Sequence, residues 1–174
     1  MNAIEYWTFD SQSPVGALTL AASERGLAVL SFRGIASYKK NPHFAGAQWV
    51  EAREKLEPYF ARVQRYLSGE SRELEMELDL RGTEFQLRCW KALLRIPYGQ
   101  TRSYAEQAAA VECPRGFRAV GLANNKNPVA IVVPCHRVIE TNGKLGGYGG
   151  GLPAKEWLLK LEDAPVRALA AKLF

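Results

Sequence analysis

The pattern of apolar residues changes along the chain. Short apolar runs predict β-strands, and apolar residues spaced three and four apart predict helices. The first segment has apolar or alternating runs at 4–9, 15–22 and 26–32, separated by turn residues, which is typical of antiparallel strands. Residues 45–67 carry apolar side chains at spacings of three and four, which predicts one amphipathic helix ending at Ser68. The first part of the chain is therefore predicted to be a β-meander followed by a helix.

After Gly82 the pattern becomes helical. Thr83 and Ser103 are predicted to cap two helices, and Pro114 to open a third. The second and third are short and joined by a tight turn, which indicates a helix-turn-helix, although many such pairs never touch DNA. We expect an N-terminal α/β domain at 1–81 and a C-terminal domain at 82–174.

Composition narrows the class of protein. A chain of 174 residues, 47% of them hydrophobic, is long enough to bury a core of its own. It opens with no basic-then-apolar leader and has no run of about 18 apolar residues, so we expect a cytoplasmic protein without membrane attachment. Three cysteines argue against a disulfide framework, and two histidines without a Cys-x-x-Cys pair argue against bound metal.

Charge is distributed unevenly between the two halves. Residues 1–80 contain 9 basic and 11 acidic residues, whereas residues 81–174 contain 14 and 7. A positive second half favours a polyanionic partner, although basic surfaces without one are common. The glycine-rich stretch 143–151 lacks the spacing of a phosphate-binding loop, so no cofactor is expected.

The run 131–139 places a thiol and an imidazole side by side, at Cys135 and His136, beside an apolar segment. Free cysteine often serves as a small buried hydrophobe, and a single histidine there is often a core residue, so the pair alone leaves two interpretations open. If Pro134–Val138 is extended, adjacent side chains point to opposite faces. A water molecule would then be needed to connect them.

Other motifs accompany this pair in a fixed order. They are Ser103-Tyr104, Arg118-Ala119-Val120-Gly121, Asn127-Pro128, Pro134-Cys135-His136-Arg137-Val138, Gly150-Gly151-Leu152 and Lys155-Glu156-Trp157-Leu158-Leu159. Together they resemble the O6-alkylguanine-DNA alkyltransferases, also called methylated-DNA–protein-cysteine methyltransferases, densely between Gly82 and Glu162. The resemblance implies an α+β fold with a ribonuclease-H-like N-terminal domain and a mostly helical, winged-helix-like C-terminal domain containing the helix-turn-helix.

The resemblance also implies a reaction and its residues. Cys135 attacks the alkyl carbon on O6 of a damaged guanine and keeps the group as a thioether, so each molecule acts once. His136 deprotonates Cys135 through water and Glu162 orients His136. Tyr104 donates a proton or hydrogen bond to the base, and Asn127 braces the turn before the cysteine.

Double-stranded DNA containing alkylated guanine is the implied partner, bound by a monomer, and O4-alkylthymine is a possible further substrate. Arg118 fills the space left by an extruded base while a smooth helix face enters the minor groove. The expected DNA contacts are Arg118, Ala119, Gly121, Ala123, Asn124 and Thr141. The expected pocket residues are Val138, Tyr148, Gly149 and Gly150. Gly149 stands where many members have serine, which predicts one hydrogen bond fewer to the base and a wider pocket.

Two other functions compete with alkyl transfer. Alkyltransferase-like proteins bind alkylated lesions without repairing them, but they replace the cysteine that is present here. A cysteine hydrolase would use Cys135, His136 and an acid for acyl transfer, but adjacent cysteine and histidine rarely contact each other directly. It would also leave the helix-turn-helix and the basic second half unexplained.

Overall fold

The structure, a computed structural model, describes residues 3–165, which divide into two compact units. The first runs to Gly82 and includes Pro128–Val132, and the second comprises Thr83–Asn127 and continues from Val133. No helix within 3–165 is long and apolar enough to cross a bilayer.

Four strands form the sheet of the first unit. They are β1 (Ala3–Asp10), β2 (Ala17–Ser23), β3 (Gly26–Ser31) and β4 (Gln48–Glu51), in the order β3-β2-β1-β4. The first three pair antiparallel, as the predicted meander requires, and β4 runs parallel to β1. Leu30 of β3 also pairs with the segment 128–132, since its N–H donates to Pro128 and its carbonyl accepts from Ala130.

The predicted helix over 45–67 is shorter than expected. Helix α1 (Ile35–Lys39) and strand β4 precede helix α2, which begins only at Arg53 and ends at Leu67. Trp49 of β4 packs on the rings of Tyr6 and Phe44, in the core between sheet and connecting chain. The Tyr6 contact and the pairing of β4 with β1 involve residues distant in sequence, and they override the local helical spacing.

The second unit is mostly helical. Its helices are α3 (Glu84–Leu93), α4 (Tyr104–Ala110), α5 (Phe117–Asn125) and α6 (Leu152–Leu161), and two short strands, β5 (Arg102–Ser103) and β6 (Val138–Ile139), pair in parallel. Thr83 and Ser103 cap α3 and α4 as predicted, each in a reciprocal capping box.

The α4–α5 pair is the predicted helix-turn-helix, and buried polar contacts hold it in place. The amides of Gln107 and Asn124 bond each other at 2.9 and 2.7 Å, and the indole of Trp90 donates to the carbonyl of Ala123 at 2.9 Å. Helix α5 begins at Phe117, three residues after the predicted Pro114, because residues 113–116 form a turn. A Cβ at Gly116 would lie 2.2 Å from the sulfur of Cys113, so any other residue there would have to displace the Cys113 side chain.

Candidate active site

The segment around the thiol is a 3₁₀ turn over Cys135–Arg137, so the conditional expectation of an extended Pro134–Val138 is wrong. The N–H of Arg137 donates to the carbonyl of Pro134 at 3.0 Å. Because a 3₁₀ turn has three residues per turn, Cys135 and His136 still project in different directions. The turn leads directly into β6, whose pairing with β5 fixes it beside the start of α4.

Cys135 is 9% exposed and lines a cavity of about 450 Å³. The lining residues are Tyr104, Gly121, Leu122, Asn124, Asn125, Cys135, Gly147, Tyr148 and Gly149. Asn127 donates one amide hydrogen to the carbonyl of Val133 at 2.7 Å and another to the sulfur of Cys135 at 3.3 Å. Asn127 therefore connects the segment before the turn to the nucleophile.

Burial raises the pKa of the Cys135 thiol, and this effect outweighs the opposing hydrogen bond from Asn127 and the positive charge of Lys155. An unassisted thiol at this position is thus mostly protonated at neutral pH. Its use as a nucleophile requires a base that removes the proton.

His136 and Glu162 form a fully buried pair, with Nε2 of the imidazole 2.6 Å from Oε1 of the carboxylate. Arg137 also reaches the carboxylate, since its Nε and Nη2 lie 2.8 and 3.1 Å from the two oxygens. The backbone N–H of Gly99 adds a fourth bond at 3.2 Å. Burial alone would raise the pKa of Glu162, but the hydrogen bonds from His136 and Arg137 and the positive charge of Arg137 lower it to about 2.

This arrangement fixes the protonation of the imidazole. Because ionised Glu162 can only accept a hydrogen bond, Nε2 of His136 must carry the hydrogen. Burial lowers the pKa of His136 further than Glu162 raises it, so the ring is neutral at pH 7 and Nδ1 carries a lone pair. Nδ1 is buried and has no hydrogen-bond partner among residues 3–165. His136 is therefore a base with one free acceptor position.

Tyr104 begins α4 and lines the cavity with Cys135. Burial, together with the charges of Cys135 and Glu140, raises the pKa of its hydroxyl to about 12. The phenol consequently keeps its proton and can donate a hydrogen bond. Gly146 allows this position, because a Cβ there would lie 3.0 Å from the Tyr104 ring.

Some expected DNA-contacting residues lie at a second cavity of about 470 Å³, which shares Tyr104, Gly121 and Gly147 with the first. Arg118, Thr141 and Gly121 line it. Ala119 is exposed on α5, whereas Ala123 is buried and the Asn124 amide is held by Gln107. The apolar residues Phe117 and Leu122, 51% and 64% exposed, lie on the same helix.

Two of the four expected pocket residues line the same cavity. Tyr148 and Gly149 line the cavity that holds Cys135, whereas Val138 and Gly150 are not among its lining residues. Val138 is fully buried and contributes its carbonyl, which accepts from Lys155 at 2.6 Å. Lys155 and Arg137 were not expected as site residues. Both belong to the recognised motifs, and only the burial of Lys155 and the Glu162 contacts of Arg137 single them out.

Comparison with known proteins decides the family. The profile of the 6-O-methylguanine DNA methyltransferase ribonuclease-like domain matches residues 6–80, and that of the DNA binding domain of the same proteins matches 84–164. The chain belongs to the methylated-DNA–protein-cysteine methyltransferase family. The predicted family, fold class and enzyme class are thereby confirmed, and the general function is repair of methylated DNA.

Individual relatives agree over most of the chain. The methylated-DNA–protein-cysteine methyltransferase of Methanosarcina barkeri is 46% identical over 90% of this chain and 96% of its own length. The protein of that name from Mycolicibacterium paratuberculosis is 50% identical over 91% of this chain and 92% of its own length. The crystal structure of Mycobacterium tuberculosis OGT in complex with DNA superposes with a TM-score of 0.78 at 47% identity, covering 92% of this chain and 95% of that chain.

The low pKa of Glu162 predicts a specific loss of stability in acid. A carboxyl whose pKa falls on folding from 4.5 to about 2 contributes stability above pH 4.5 that is lost as the pH falls toward 2. In urea unfolding between pH 5 and pH 2, Glu162→Gln should lack this part of the pH dependence, on the order of 3 kcal/mol. Glu73→Gln, which changes an exposed carboxylate, is the control. Parallel curves for wild type and Glu162→Gln would contradict the assignment.

Two adjacent glycines provide a matched test of the Tyr104 position. Gly146→Ala should displace the Tyr104 ring, because φ at Gly146 is +68° and the new Cβ would meet the ring at 3.0 Å. We expect alkyl transfer to slow by about tenfold, the equivalent of 1.4 kcal/mol. At Gly147 a Cβ meets no atom within 4 Å, so Gly147→Ala should slow transfer much less. Equal rates for the two variants in single-turnover assays would show that the Tyr104 position does not matter.

Proposed function

We propose that this protein transfers the alkyl group from O6-alkylguanine in double-stranded DNA to the sulfur of Cys135, once per molecule. The observation that carries the proposal is the buried Glu162–His136 pair next to a cysteine that lines a cavity beside Tyr104. A thiolate is a good nucleophile toward saturated carbon, and the thioether product is not readily hydrolysed. The protein is therefore consumed by its reaction.

The first step is removal of the thiol proton. His136 is neutral and has its acceptor at Nδ1, so a water molecule between Nδ1 and the Cys135 sulfur would pass the proton to the imidazole. Ionised Glu162 stabilises the imidazolium that results, and Asn127 donates a hydrogen bond to the sulfur. The proton thus ends on His136, and the negative charge on sulfur.

The second step exchanges one bond to carbon for another. The sulfur forms a bond to the alkyl carbon as the bond from that carbon to O6 breaks, and the electron pair of the broken bond remains on the guanine. The Tyr104 hydroxyl, whose pKa is about 12, donates a hydrogen bond to the departing guanine anion and stabilises it without becoming ionised. The guanine anion then takes up one proton from water while His136 returns its extra proton to water, so the products are S-alkylcysteine and unmodified guanine.

Access to the thiol requires that the damaged base leave the duplex, at a cost of a few kcal/mol for unstacking and unpairing. Helix α5 is suited to the minor groove, because Ala119 and Gly121 leave its surface smooth and exposed Phe117 and Leu122 can contact the bases. Arg118 lines the cavity next to the thiol pocket and can occupy the place of the extruded base. Phosphate contacts should dominate the affinity, so binding should weaken with salt.

Intact-mass measurement after mixing with a duplex containing O6-methylguanine tests the function. We expect a gain of one methyl group per protein, located on Cys135 by peptide mapping, with no further turnover. Cys135→Ala should abolish the gain and keep DNA binding. Binding without any mass gain would instead indicate a lesion-binding protein, and repeated turnover of esters or amides a hydrolase. An O4-methylthymine duplex in a parallel arm determines whether that base is also a substrate.

The role of Arg118 predicts a difference between two substrates. At saturating protein, Arg118→Ala should slow transfer from O6-methylguanine in a duplex by about tenfold or more, and change transfer from the free base little. Lys126→Ala removes an exposed positive charge at the other end of α5 and should leave the ratio of the two rates unchanged. Equal losses on both substrates would refute a role in base extrusion.

A further inference from the structure

Lys155 is a charged side chain in the interior that the steps above do not use. It is 0% exposed, and its Nζ donates to the carbonyls of Val138 at 2.6 Å and Gly147 at 3.3 Å. Among residues 3–165 it forms no ion pair with a carboxylate. A buried ammonium group without a counter-ion is costly, so its presence requires a compensating role.

The two carbonyls that bind Lys155 lie at the two ends of one segment. Val138 begins the segment in β6, and Gly147 ends it at the wall of the cavity that holds Cys135. The ammonium also lies 5.9 Å from the centre of the Tyr104 ring. Lys155 thus connects the strand after the nucleophile, the pocket wall and the base-contacting tyrosine.

The titratable groups around Lys155 come from three elements. Cys135 and His136 lie on the 3₁₀ turn, Tyr104 on α4, and Glu140 directly after β6. Glu140 is exposed, so water screens its charge, whereas a Cys135 thiolate would be buried. The thiolate is therefore the anion best placed to compensate Lys155.

The electrostatic interaction between Lys155 and Cys135 affects the pKa of both groups. Burial lowers the pKa of Lys155 to about 8, against the opposing charges of Cys135 and Glu140. The positive charge of Lys155 in turn lowers the pKa of Cys135 against the larger effect of burial.

We propose that Lys155 is a positioning residue that holds both ends of the segment 138–147 and supplies the positive charge that stabilises the Cys135 thiolate. The inference rests on the proposed function, in which that thiolate is the nucleophile. Lys155 is not part of the Glu162–His136–water chain, so the proposal adds a further residue to the site.

The test measures thiol ionisation without DNA. Iodoacetamide labelling of Cys135 is followed by peptide mass spectrometry across pH in wild type, Lys155→Met and Lys155→Gln. Methionine removes the charge and the donor, whereas glutamine keeps a donor without the charge. Both variants should raise the pH midpoint of labelling by about one unit or more. Lys160→Met, which removes an exposed charge on the same helix, should leave it unchanged.

Unchanged midpoints in folded Lys155 variants, checked by circular dichroism, would overturn the proposal. If the variants do not fold, the pKa of Lys155 is measured by NMR with ¹³C-labelled lysine in Cys135→Asp, which places an anion at the position of the thiolate, and in Cys135→Ser, which places none. We expect that pKa to be higher by about one unit in Cys135→Asp, and an equal pKa in both proteins would also overturn the proposal. If the Lys155 variants shift the labelling midpoint but the wild-type protein does not transfer an alkyl group from DNA, the result counts against the proposed function alone.

Discussion

The candidate site depends on one buried carboxylate. Glu162 is 2% exposed, and an ionised group at such a position is tolerated only when both oxygens are hydrogen-bonded. His136, Arg137 and the Gly99 N–H provide those bonds, and they come from the 3₁₀ turn and from the turn after α3. Removal of any partner would leave charge uncompensated in the interior. Helix α6 is thereby joined to the nucleophile segment by the same bonds that set the histidine tautomer.

The energetics of the thiol explain why such a site is needed. A free thiol is about 3% ionised at pH 7, so complete ionisation would gain roughly 30-fold in rate, or about 2 kcal/mol. Burial of Cys135 raises its pKa and makes the ionised fraction smaller still. The histidine base and the amide of Asn127 offset this cost. The rest of the rate acceleration must come from placing the alkyl carbon in line with sulfur and from stabilising the departing guanine.

Patterns along the chain predicted much of this structure, because strand alternation and helix capping depend on residues that are close in sequence. The strands, the caps at Thr83 and Ser103 and the paired short helices follow from alternation and capping chemistry, and the motifs located Cys135, His136 and Glu162. The start of α2 was misjudged because β4 pairs with β1 and Trp49 packs on the Tyr6 ring, both far away in sequence. The orientation of Asn124 depends on Gln107, and the importance of Lys155 depends on its burial. Neither property is visible in a pattern along the chain.

The central claim is that Glu162 holds His136 as a neutral imidazole with hydrogen on Nε2 and a free lone pair on Nδ1. ¹⁵N NMR of the histidine side chain in the protein without DNA at pH 7 tests this directly. We expect Nε2 of His136 to be protonated and Nδ1 to be unprotonated. A doubly protonated ring, or hydrogen on Nδ1 with Nε2 bare, would contradict it.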